Sequence, residues 1–138
     1  MFYRFSLLLS CLFLISCSSI TPEQRTYLDE VKKFPLSFTI SKSKNDVLWG
    51  RAQSFIAQYS SMKIQIATDF VIQTYNPPGS EVKYGYSVTK TPENDNFRII
   101  VKCFCGNPLV INSVRKNAHI FSYYLKTGEN PYPKLISR

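Results

Sequence analysis

Apolar residues recur along this chain at two periods. Leu36, Phe38 and Ile40 alternate with Ser37 and Thr39, the period of a strand with one buried face. Leu48, Ala52, Phe55, Ile56 and Tyr59 then recur at steps of three and four, which predicts an amphipathic helix of about four turns with Trp49 at the edge of its stripe. Met62, Ile64, Ile66, Phe70 and Ile72 share one parity between Met62 and Tyr75. One long bent strand satisfies that pattern, and so does the favoured reading, a hairpin with a three-residue turn at Ala67 to Asp69 that keeps one face consistent. Asn76-Pro77-Pro78-Gly79 is a turn. Val82, Tyr84, Tyr86 and Val88 form the inner face of the next strand, Pro92 to Asn96 turns the chain, and Phe97, Ile99, Val101, Cys103 and Cys105 line the strand after it. After the Asn107-Pro108 break, Ile111, Val114, Ala118, Phe121 and Leu125 mark a last helix that Gly128 closes as a C-cap. The tail from Asn130 to Pro133 reads as extended and packing back on the domain.

Two stretches carry helix-start signals. Thr21-Pro22-Glu23-Gln24 combines an N-cap, a proline at the first helical position and a glutamine three residues on, and Tyr27, Leu28, Val31 and Phe34 follow as a thin stripe that Pro35 ends. Ser43-Lys44-Asn45-Asp46 is a second capping-box pattern, which assigns Asp46 a capping role. The resulting order is helix, strand, helix, three or four antiparallel strands, helix. This is an α+β class: an antiparallel sheet of four to five strands packed on one face by two helices.

The leader changes what this domain is. Arg4 precedes the short apolar run Leu7 to Ile15, and Leu14-Ile15-Ser16-Cys17 follows, a secretory signal too short to span a membrane. Leu-Ile-Ser-Cys resembles the lipobox of bacterial lipoproteins, which implies that residues 1–16 are a lipoprotein signal peptide and that Cys17 is acylated as the first mature residue. Leu8-Leu9-Ser10-Cys11 has the same local pattern, but cleavage there would leave too short an apolar run. The organisation expected is a signal peptide over 1–16, a lipidated tether and short helix over 17–34, and one α+β domain over 35–138. Ser18 permits the outer membrane, so a lipid-anchored protein of the bacterial cell envelope is expected there.

Composition agrees with one folded domain. Of 138 residues, 44% are hydrophobic and 19% charged, which excludes a disordered or fibrous chain. The net charge of +8 arises from 17 basic and 9 acidic residues, and only Arg4 of the basic ones lies in the leader. Export rules against nucleic acid as the partner of that charge. Beside an anionic bilayer it presses the domain onto the surface. Element order over residues 34–127 and the helix opening Val47-Leu48-Trp49-Gly50-Arg51-Ala52 resemble the helix-grip or TBP-like domains of small bacterial lipoproteins, including accessory domains of outer-membrane barrel assembly. The resemblance transfers no functional residue.

Candidate chemistry is sparse. Cys103 and Cys105 stand two apart on one strand face, and three readings stay open: buried small hydrophobes, a disulfide or redox pair, or soft metal ligands with His119. The acids are scattered and no nucleophile, metal or phosphate motif is present, so neither catalysis nor a cofactor is expected. Two functions are consistent with this: a lipid-anchored module that docks onto an envelope protein, and a carrier holding a small amphipathic ligand between the sheet and the last helix. Tyr84, Tyr86, Phe104 and Phe121 are the candidate walls of that carrier pocket.

Overall fold

The computed structural model describes residues 19–138, and the expected signal peptide and acylation site at Cys17 lie outside the described residues. Helix α1 spans Pro22–Val31, and its capping box is complete. The Thr21 hydroxyl accepts from the Gln24 backbone at 3.3 Å, while the Gln24 side chain accepts from the Thr21 backbone at 3.1 Å. Strand β1 (Ser37–Ser41) follows, then a 3-10 turn over Lys42–Lys44 and helix α2 (Asn45–Tyr59).

The second capping box does not form. The 3-10 turn carries the chain into the helix with Lys44 already helical, so the position before α2 cannot offer its side chain to the first turn. Ser43 instead shares a hydroxyl hydrogen bond with Ser41, and the Asp46 carboxylate accepts from the Asn45 side chain.

Strands β2 (Ile64–Ala67) and β3 (Val71–Thr74) make the expected hairpin around a three-residue loop, Thr68 to Phe70, one position later than predicted. Thr68 decides the placement, because its hydroxyl accepts from the backbones of Phe70 and Val71. The single apolar face fails here. A register shift between Ile64 and Ile66 pairs Ile66 with Gln73 and Ala67 with Ile72, so Ile72 is buried while Ile64, Ile66 and Phe70 remain 37%, 40% and 50% exposed.

Strands β4 (Gly85–Glu93) and β5 (Asn96–Phe104) form the longest hairpin, turning at Asn94 with φ 54°, a value that asparagine tolerates better than most residues. Val82 and Tyr84 both precede β4, and since Val82 is exposed the buried row begins at Tyr84, one residue ahead of the strand. The sheet is antiparallel throughout, in the order β1-β5-β4-β3-β2. Its first strand thus pairs with its last, Phe38 opposite Ile99.

Helix α3 (Ile111–Thr127) crosses the covered face and ends at Gly128, whose φ of 81° is the left-handed conformation of a C-cap. Ile111, expected on its buried seam, is 57% exposed. Helix α2 packs beside α3, and α1 adds Tyr27, Leu28 and Val31 to the same core. The short helix of the expected tether is therefore built into the domain. The tail also returns: Ile136 is buried, and Asn117 exchanges two hydrogen bonds with the Ser137 backbone.

The helices meet the sheet through aromatic rings. Phe55 of α2 stacks on Phe121 of α3 at 4.5 Å between centroids, and Tyr86 of β4 stands edge-on to both at 5.4 and 5.5 Å. All three are fully buried. Phe55→Ala is expected to cost about 3–5 kcal/mol by leaving a cavity at this junction. Denaturant unfolding checks this, and a loss below about 1 kcal/mol would show that the junction can collapse around the gap.

Candidate functional site

The aromatic residues expected to wall a pocket have other duties. Tyr84, Tyr86 and Phe121 fill core space, at 2%, 0% and 0% exposure. Phe104 pairs with Gly85 while its neighbour Cys103 pairs with Tyr86, so strand alternation turns Phe104 away from Tyr86. Its ring lies over the bare backbone of Gly85, where any Cβ would collide with it. Beneath the first half of α3, a cleft of about 280 Å³ bordered by Leu36, Cys103, Phe104, Ile111 and Val114 contains only one of the four.

Cys103 and Cys105 are both free thiols. Cys103 points into the core, and burial, reinforced by the neighbouring Cys105, pushes its thiol up to about 12. Cys105 lies past the end of β5, half-buried, with its sulfur 3.8 Å from the Glu81 carbonyl. His119 is half-buried on α3, and its Nδ1 is 3.0 Å from the Phe34 carbonyl; a carbonyl only accepts, so this bond puts the proton on Nδ1. Among the described residues no three His, Cys, Asp or Glu side chains converge as metal ligands.

The acids are spread over the surface, and four of the nine stand beside a cation. Asp29 pairs with Lys32, Glu81 with Lys83, Glu93 with Arg98 and Asp95 with Lys42. Exposed pairs of this kind contribute little to stability.

A buried lysine escaped the sequence reading. Lys90 is 7% exposed, its ammonium donates to the Asn45 side chain at 2.6 Å, and it sits 4.6 Å from the Trp49 ring centroid and 4.9 Å from that of Phe97. Tyr84, Tyr86, Val88 and Lys90 share one parity, so extending the inner face by one step would have found it. Trp49 is held in turn by its indole N–H, which donates to the Thr68 carbonyl at 3.1 Å. The lysine satisfies a polar position where the sheet, α2 and the β2–β3 loop meet.

A cleft of about 590 Å³ opens between β1, the 3-10 turn, the start of α2 and the end of α3. Ile40, Val47, Leu48 and Leu125 supply apolar wall, while Lys44, Arg51 and Lys126 supply positive charge. No acidic side chain lines it. Its residues come from two separated parts of the chain, 39–51 and 125–126, and no local motif announces them. Comparison with protein-family models, with curated proteins and with solved structures finds no match to this chain.

Buried acidic groups make the fold sensitive to alkali. The Tyr86 phenol is raised above its ordinary value, chiefly by burial and next by Cys103; its polar neighbours Asn117 and Cys103 close no hydrogen bond of normal geometry with it. Burial raises the Tyr27 phenol as well. An unfolded chain releases the Cys103 proton near 9.0 and the tyrosine protons near 10.0, whereas the folded protein retains them. The stability that depends on keeping these groups neutral is therefore complete below pH 9 and lost as pH climbs towards about 12. The denaturant midpoint should hold steady up to pH 9 and fall above it, with Cys103→Ala removing the first part of the fall; a flat midpoint to pH 11 would contradict the burial. Alkylation at pH 8, followed residue by residue in peptide digests, should label Cys105 quickly and Cys103 only on unfolding, with or without prior reduction. A count at these two positions that rises after reduction would reveal a disulfide.

Proposed function

We propose that this chain is a lipid-anchored, non-enzymatic lipoprotein of the bacterial cell envelope, expected at the outer membrane, whose domain docks onto an envelope protein. The observation that carries the reading is Leu14-Ile15-Ser16-Cys17 set four residues ahead of a capped helix that belongs to the core. Ser18 to Thr21 can span only about 14 Å, so an acylated Cys17 keeps the domain against the bilayer. No helix among the described residues is long and apolar enough to cross a membrane, and the lipid would supply the attachment.

The docking surface is the β2–β3 hairpin. β2 is an edge strand, so one side of its backbone has no partner strand, and Ile64, Ile66 and Phe70 expose apolar side chains around it. Such a cluster on an unpaired edge suits a partner protein. A small-ligand carrier is the second reading, favoured by the 590 Å³ cleft.

Cys17→Ala should move the protein from the membrane to the soluble fraction; persistence in the membrane fraction would overturn the anchor. Native mass spectrometry of the protein extracted in mild detergent should show a lipidated species carrying a second protein. Ile66→Asp should abolish that species without shifting the thermal unfolding midpoint. A lipidated chain that carries no protein, or a complex indifferent to Ile66→Asp, would overturn docking at the hairpin.

A further inference from the structure

The cleft between β1, α2 and the end of α3 combines two chemistries that separately would mean little. Its volume, about 590 Å³, lies within the range of small-molecule sites. Val47 is 60% exposed and Ile40 half-buried, so the apolar wall is open to solvent on one side and continuous with the core at Leu48 and Leu125 on the other.

The positive charge around it has no carboxylate partner. Lys32, Lys42, Lys83 and Arg98 are the cations found in ion pairs among the described residues, and none of them lines the cleft. Arg51 is fixed in place, because its Nη1 donates to the carbonyls of Leu125 and Lys126 at 3.1 and 2.9 Å and its guanidinium lies over the bare Gly128. Its Nε and Nη2 make no hydrogen bond among the described residues. Lys126 rests its ammonium 4.8 Å from the Phe38 ring centroid, and Lys44 lines the same cleft from the 3-10 turn. Three unneutralised cations around an apolar wall favour an anionic guest over a neutral one and disfavour a cationic one.

We propose that this cleft binds a small anionic amphiphile, a carboxylate or phosphate head on a hydrocarbon body, with Lys44, Arg51 and Lys126 around the head and Val47, Leu48 and Leu125 against the body. The inference rests on the carrier reading and is independent of the lipid anchor and the hairpin edge. It moves the ligand from beneath the middle of α3, where rings fill the space, to the end of that helix.

The test titrates the chain carrying Cys17→Ala, purified without detergent, with cis-parinarate, whose fluorescence rises on entering an apolar site. Saturable binding is expected. Dodecyl phosphate should displace the probe, whereas dodecyl maltoside and inorganic phosphate should not. The double variant Lys44→Gln with Lys126→Gln, both exposed and outside the core, should weaken binding about tenfold, and added salt should weaken the parent more than the variant, which keeps Arg51. Val47→Asp, at an exposed position, should weaken it as well. Vesicles of phosphatidylglycerol and of phosphatidylcholine separate the sources of the head group: competition by the former alone makes it a lipid in the bilayer, and competition by neither makes it a free amphiphile, each supporting the anionic site. Equal displacement by dodecyl maltoside, or a double variant that binds as the parent does, would overturn the anionic preference while leaving a carrier. Absence of saturable binding would overturn both.

Discussion

The stack of Phe55 on Phe121, with Tyr86 edge-on to both, is the contact on which the other features depend. It joins the two long helices to each other and to the central hairpin at one buried point. Edge-to-face and offset rings prefer particular separations and angles, so this junction sets orientation as well as burying area. Once α2 and α3 are held there, the start of α2 and the end of α3 lie on the same side of β1, which is how Lys44, Arg51 and Lys126 come to border one cleft.

The helix end at that cleft shows how local and long-range requirements reinforce each other. α3 finishes with unsatisfied carbonyls and partial negative charge, and Gly128 takes the left-handed conformation that closes it. Arg51, from a helix far away in sequence, donates to two of those carbonyls and occupies the space a Cβ at Gly128 would need. Glycine is therefore required at this position twice, for its φ and for its missing side chain. The Arg51 charge is spent partly on the helix end, and no acid competes for the remainder.

Polar groups inside the domain follow the same economy. Lys90 is tolerated because Asn45 accepts from it and the rings of Trp49 and Phe97 face its charge, replacing some of the hydration it loses. Ser122 donates to the Pro35 carbonyl, and the Thr74 hydroxyl accepts from the Tyr86 backbone. The hydroxyls of Tyr27 and Tyr86 and the side-chain amide of Asn130 are the exceptions among the described residues, buried with no partner. Their cost falls on a core whose remaining members are almost entirely apolar.

Periodicity made most of this architecture legible in advance. The alternation from Tyr84 to Val88 and from Phe97 to Cys103, the seam of α3 from Val114 to Leu125 with its glycine cap, and the capping box at Thr21 are all local signals, and each appears in the structure where the residues placed it. Local signals failed where a distant element changed the environment. The 3-10 turn after β1 took the cap position from Ser43, and a bulge at the sheet edge broke the face shared by Ile64, Ile66 and Ile72. The pairing of β1 with β5 and the cleft beside it were not readable at all, because both join residues far apart in the chain, and no spacing rule relates Lys44 to Lys126. Sequence alone determined which elements form, since propensity, capping and amphipathic period act within a few residues. Only the tertiary structure decided which side chains share a cavity, because that depends on how complete faces pack against one another.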